Sequence, residues 1–139
     1  MKLITFISAG IFIVVAAFAM KKENPYQVNT FYNTKWSLKK IYTESGIQEV
    51  NTKAFIKFNR EKKSAGGNGS CNTFGSNITV SNNEISFKNI FSTKMYCEGV
   101  QQTEDAFLNQ LMNVNRIEVK NKSLVLYQGD KILLEFHSE

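Results

Sequence analysis

The segment GGNGSCNTFGSNITVSNNEISFKNIFSTKMYC, Gly66 to Cys97, decides how the rest of the chain is read. It holds both cysteines, four of the eight glycines, and a dense run of Asn, Ser and Thr around one clean strand. Two cysteines bracketing a turn-rich segment read as a staple over a tight backbone corner. Nothing in the segment has the arrangement of a reaction centre.

Period-two alternation surrounds this corner. Trp36-Ser37-Leu38 opens a strand running to about Tyr42, and Glu44 to Lys53 is a loop or a short edge ribbon. Ala54, Ile56 and Phe58 then alternate with Phe55, Lys57 and Asn59, the pattern of a half-buried strand. Lys63 to Gly67 offers a partner strand. Beyond Gly75, Ile78 and Val80 make a short strand, and Asn82-Asn83 is a turn able to take positive φ. Ile85 and Phe87 face opposite to Glu84, Ser86 and Lys88.

After Cys97 the period changes. Val100, Phe107, Leu108, Leu111 and Val114 share one side of a helix that starts between Gly99 and Thr103 and stops at Asn113 or Asn115. Glu104 and Asp105 fall in its early turns, where acidic residues suit the helix dipole. Three strands close the chain, at 116–120, 123–127 and 131–136. Here Leu124 and Leu126 oppose Val125 and Tyr127, and Leu133 opposes Ile132, Leu134 and Phe136. Strands apolar on both faces need cover on both, and the helix is the expected cover for one of them.

The N-terminus sets the compartment. Met1-Lys2 precedes an uncharged run, Leu3 to Met20, and Ala17-Phe18-Ala19 matches the small-x-small pattern of a signal-peptidase site. Residues 1–19 therefore read as a signal peptide, with an uncleaved membrane anchor as the competing reading. Residues 20–31, polar and containing Pro25, read as a linker, and 32–139 as one domain. With 139 residues, 42% hydrophobic and 21% charged, the chain suits one globular core and not two. The formal charge of +5 comes mainly from scattered lysines. Arg60-Glu61-Lys62-Lys63 reads as a solvated strand end, so nucleic acid is not an expected partner, whereas an anionic envelope surface is.

The chemistry-bearing residues are sparse. Gly66-Gly67-x-Gly69 lacks the Gly-Lys-Ser/Thr of a phosphate loop. His137, the lone histidine, sits near the C-terminus without a nucleophile or a metal-ligand set to join. Two cysteines cannot complete a zinc site, and no C-x-x-C exists for thiol exchange. Glu84, Glu98, Glu104 and Asp105 read as surface charges. Asn68, Asn77 and Asn121 fit glycosylation sequons. No catalytic residue, metal site or cofactor is expected.

Gly67-Asn68-Gly69-Ser70-Cys71-Asn72-Thr73-Phe74-Gly75, Ile85-Ser86-Phe87 and Ser92-Thr93-Lys94-Met95-Tyr96-Cys97 together resemble the signature of the META domain, the family of the heat-shock protein HslJ. Trp36-x-Leu38, Glu104-x-x-Phe107-Leu108-x-x-Leu111 and Leu124-x-Leu126 fit the same resemblance, which spans about Phe31 to Phe136. Its motif positions here are Gly67, Gly69, Asn72, Gly75, Thr93 and Met95. The chain departs from the pattern at Ser70, where the family usually has glycine, and at Gly75, one residue early.

The resemblance implies an α+β, mostly β fold: a strongly curved antiparallel sheet, similar to a cracked barrel, packed with one main helix. It also implies a bacterial envelope setting and a link to stress, but no enzymatic activity. Export, an even cysteine count and that fold together lead to a Cys71–Cys97 disulfide, with two buried free thiols as the alternative. Two functions are then expected from different classes. One is a non-catalytic interaction module acting on an envelope protein or surface. The other is a carrier of a small apolar ligand or lipid in a slot between sheet and helix, lined by Val125, Tyr127 and Leu133.

Overall fold

Each stretch of alternating apolar and polar residues becomes a strand. The computed structural model describes residues 30–139, so the expected signal peptide and most of the expected linker lie outside it. In chain order the elements are β1 (Trp36–Thr43), β2 (Gly46–Glu49), β3 (Phe55–Asn59), β4 (Ser64–Asn68), β5 (Thr73–Ser81) and β6 (Glu84–Ser92). Then come α1 (Gln101–Leu111), β7 (Arg116–Lys120), β8 (Ser123–Gln128) and β9 (Lys131–Ser138). Asn82 and Asn121 turn two of the hairpins with φ of 54° and 55°, a conformation asparagine tolerates better than most residues.

The nine strands form one antiparallel sheet that curls until its ends meet. β1 pairs with β3 and β2 along one edge and with β9 along the other, placing Leu38 opposite Phe136 and Ile41 opposite Leu134. The curl does not close cleanly. β6 and β7 share a single residue pair, Glu84 with Arg116, and the chain between them leaves the sheet to form α1. The expected curved sheet with one helix is what the chain adopts.

Two strands are longer than the sequence pattern suggests. β5 begins at Thr73 because the glycine-rich stretch is itself sheet: Gly66 pairs with Gly75, and Gly67 with Phe74. A Cβ on Gly67 would lie 2.1 Å from the Phe55 carbonyl oxygen, so only glycine lets β3 and β4 approach this closely. The irregular corner shrinks to Gly69–Asn72. β6 runs on to Ser92 through a bulge at Asn89, whose φ is 53°.

The inside of the curl is a core of side chains. Trp36, Leu38, Ile56, Phe58, Leu124, Leu126 and Phe136 are buried in one continuous core. The ring of Phe107, from α1, meets Phe74 and Phe136 edge-on with centroids 5.4 Å and 5.8 Å away. Phe31, expected to end the linker, is core as well, and its carbonyl accepts a hydrogen bond from Trp36 Nε1 at 2.9 Å.

The helix therefore enters the core instead of covering the outer face of the last three strands. Val125 and Tyr127 stay half-buried on that outer face, where Arg116 stacks its guanidinium 3.8 Å from the Tyr127 ring centroid. Leu133 is buried inside. A register shift between Leu126 and Tyr127 inserts one extra residue into β9, and both Leu133 and Leu134 are buried there. Val125, Tyr127 and Leu133 thus do not line one slot between sheet and helix.

Candidate functional site

The family-motif residues converge where the corner, the start of α1 and the segment after β6 meet. Cys71 and Cys97 are bonded, with Cα atoms 5.7 Å apart. Beneath them lies Glu104, only 2% exposed. Its Oε2 accepts the backbone N–H of Cys71 at 2.9 Å and of Asn72 at 2.6 Å, and its Oε1 accepts Asn72 Nδ2 at 2.5 Å. A buried carboxylate is costly unless it is hydrogen-bonded, and here three donors surround it. Burial pushes its pKa up, but the bonds from Asn72 and Cys71, with a smaller contribution from Lys94, outweigh that and hold it below the usual carboxylate range.

Gly69 makes room for this carboxylate, since a Cβ there would sit 2.7 Å from Glu104 Cγ and Oε2. The neighbouring Ser70 is buried with a φ of 132°, a region that favours glycine. Its hydroxyl is shared with that of Thr52 at 2.8 Å, and its N–H donates to Asn68 Oδ1 at 2.9 Å.

Asn72 passes the order outward. Its Oδ1 accepts Thr93 Oγ1 at 2.9 Å and the Met95 N–H at 2.7 Å, while its Nδ2 also donates to the Met95 carbonyl at 2.9 Å. Both backbone groups of Met95 are thereby held by one side chain, and the Met95 side chain points away from the core. Gly75 serves the same surface from below, because the Phe91 ring lies where its Cβ would be, 2.5 Å from the ring's nearest atom.

The clamp supports an open groove of about 890 Å³ between the last residues of β6, the segment to Tyr96, and one side of α1. Apolar side chains rim it in an unusual concentration: Phe91 is 69% exposed, Met95 61%, Tyr96 78% and Met112 62%. Scattered exposed apolar residues are ordinary, whereas several gathered around one concavity mark an interaction surface. Lys94 stands on the strand side and Asp105 on the helix side.

The family model for the META domain matches residues 29–139. The chain belongs to the META domain family. Its fold is shared by an NMR structure of a protein from Burkholderia xenovorans, with a TM-score of 0.69 and 21% identity over 84% of this chain and 88% of that one. A second NMR structure gives a TM-score of 0.60 and 19% identity, over 82% and 93% of the two chains. No curated protein matches.

Within this META domain the motif positions Gly69, Asn72, Thr93 and Met95 come together at the clamp, with Gly75 beneath the groove. Gly67 lies farther along β4 and serves sheet packing. Sequence reasoning missed the groove and placed Glu104 among surface charges, whereas it is the buried centre of the clamp. Its signal was the Glu104-x-x-Phe107 spacing, which puts it on the helix side next to a core aromatic. Glu84, Glu98 and Asp105 are exposed as expected. Among the described residues no group of three or more His, Cys, Asp and Glu could hold a metal ion, and no helix is long and apolar enough to cross a membrane.

Proposed function

We propose that this META-domain protein is an exported, non-catalytic interaction module of the bacterial cell envelope, tied to stress, which holds a partner protein in the groove between β6 and α1. The observation that carries this reading is the ring of exposed Phe91, Met95, Tyr96 and Met112 on a backbone clamped by Asn72, Glu104 and the disulfide. Apolar side chains at such exposure gain nothing for folding, while a rigid support lowers the ordering cost of binding. A disulfide is compatible with an oxidising compartment, and the signal-like N-terminus points the same way.

The alternative, a carrier of a small apolar ligand or lipid in a slot between sheet and helix, has less support, because Leu133 is buried in the core while Val125 and Tyr127 border a separate hollow of about 490 Å³ on the outer sheet face. That hollow, bordered also by Glu118, Lys120 and Lys122, lies open on the outside of the sheet and away from the helix, so it does not enclose a chain of hydrocarbon.

A photocrosslinking amino acid placed at Tyr96, and separately at Ile132 on the outer sheet face, tests the reading in cells that make the protein. Adducts with envelope protein are expected from position 96 alone, and they should vanish with Met112→Asp. Equal labelling from both positions, or adducts indifferent to Met112→Asp, would remove the groove from the account. Native mass spectrometry of the same preparation that shows a bound lipid would favour the carrier.

A further inference from the structure

The groove has one wall made of unpaired backbone. β6 is held by β5 along one edge, but along the other it meets β7 only at Glu84 and Arg116. In an antiparallel ladder, residues turn their N–H and C=O groups alternately to the two sides. The Thr93 N–H bonds to the Thr73 carbonyl, which places Thr93 and Phe91 toward β5. Ser92 therefore directs its N–H and C=O to the opposite side, and Ile90, the second residue of the bulge, directs its C=O there, into the groove, where no strand among the described residues takes them up. Both are lining residues of that groove.

Free sheet edges are normally guarded by charges, bulges or very short length. On β6 the bulge at Asn89 and the charge of Lys88 guard the lower part of this edge. From Ile90 onward the guard is lifted, and the edge is instead bordered by the apolar rim already described. Across the gap stand the half-buried Leu108 of α1 and the exposed Met112 just after its end. The charged lining is Lys94 on one wall, Asp105 on the other and the Glu104 carboxylate beneath, an acidic excess that matches a polypeptide segment carrying a basic residue better than an anionic headgroup.

We propose that the groove binds an extended segment of a partner protein by strand addition to the Ile90–Ser92 edge. The bound segment carries apolar side chains at alternate positions that pack among Phe91, Met95, Leu108 and Met112. Main-chain hydrogen bonds to Ile90 and Ser92 supply register, and the apolar rim selects side chains. Strand addition also explains why the clamp acts on backbone: Asn72 and the disulfide fix the direction of the chain that follows the edge. This inference rests on the groove reading above and names its partner class.

The test uses the full chain and a capped heptapeptide, Thr-Val-Glu-Val-Lys-Val-Thr, with two N-methylated forms that block one or the other of its two hydrogen-bonding edges. Amide exchange by NMR should slow at Ser92 on adding the parent peptide. One N-methylated form should bind about tenfold or more weakly and the other like the parent, because an added strand uses only one edge. Equal binding by all three peptides would overturn strand addition while leaving the groove as a partner site. No binding by any of them, with Tyr96 crosslinks present in cells, would overturn strand addition alone; without those crosslinks both readings fall. Protection of Ser92 on raising protein concentration without peptide would assign the edge to a second copy, and protection by phosphatidylglycerol vesicles would assign it to a membrane. Either result would overturn the proposal.

Discussion

Asn72 gives Glu104 two hydrogen bonds, one from its backbone N–H at 2.6 Å and one from its side-chain Nδ2 at 2.5 Å. With the Cys71 N–H as third donor, the carboxylate is matched by donors alone and is bound as the anion. Glu104→Gln would keep one accepting oxygen but set an amide NH₂ against the donor or donors at the other oxygen's place. It should lower stability at neutral pH by on the order of 3 kcal/mol, read from urea unfolding.

The same carboxylate predicts an acid limb. Its folded pKa lies below the unfolded value of about 4.3, so as pH falls the unfolded chain takes up the proton first. The stability it contributes is complete above that unfolded value and is lost as pH drops through the folded pKa. Unfolding measured between pH 6 and 2 should show this loss in the natural chain and a flatter acid limb in Glu104→Gln. Parallel curves for the two proteins would mean that Glu104 is not held as the anion.

Ser70 gives a cleaner test of backbone strain. At φ 132° a side chain is disfavoured, yet the hydroxyl meets Thr52. Ser70→Ala keeps the strain and loses that contact, whereas Ser70→Gly loses the contact and relieves the strain. The glycine variant should therefore exceed the alanine variant by about 1–2 kcal/mol in thermal or urea unfolding. Equal stability would show that the corner relaxes around residue 70 without cost.

What could be read in advance follows from the range of the interactions. Strand alternation, the asparagine turns and the helix are local patterns, and they stood in the sequence within a few residues of where the fold puts them. The extent of β5 did not, because Thr73, Phe74 and Gly75 resemble part of the glycine-rich corner until their pairing with Asn68, Gly67 and Gly66 is known. The reach of Glu104 into the corner spans more than thirty residues, so local spacing could show only that it lies beside Phe107. The groove was invisible for the same reason: Phe91, Met95, Tyr96 and Met112 are ordinary core formers by type. Only the tertiary arrangement, with Phe91 lying over Gly75 and Met95 held by Asn72, gathers them around one concavity.

The bulge in β9 separates two residues that the sequence had grouped. Leu133 is fully enclosed, while Tyr127 is half-buried with Arg116 stacked on its ring. Leu133→Ala should cost about 2–5 kcal/mol through the cavity it opens. Tyr127→Ala should cost about 1 kcal/mol, the scale of a partly exposed aromatic and its cation contact. A reversed order in denaturant midpoints would place Tyr127 in the core and Leu133 outside it.

The disulfide offers the last prediction. Cys71 and Cys97 are 26 positions apart, with the whole β5–β6 hairpin between them, so the bond restricts a sizeable loop in the unfolded chain. Chain entropy for a loop of that length corresponds to about 3.5 kcal/mol. Its folded-state role is local, since Cys71 donates its N–H to Glu104 and Cys97 precedes the turn into α1. Cys71→Ser with Cys97→Ser should thus lower stability by about that amount. It should also loosen the Met95 and Tyr96 side of the groove before the barrel-like core, seen as faster amide exchange at Met95 than at Leu124 or Leu126. Thiol titration of denatured protein from an oxidising compartment, without reductant, should find no free thiol. Two reactive thiols there, or uniform loosening in the double variant, would mean that the bond does not brace the groove.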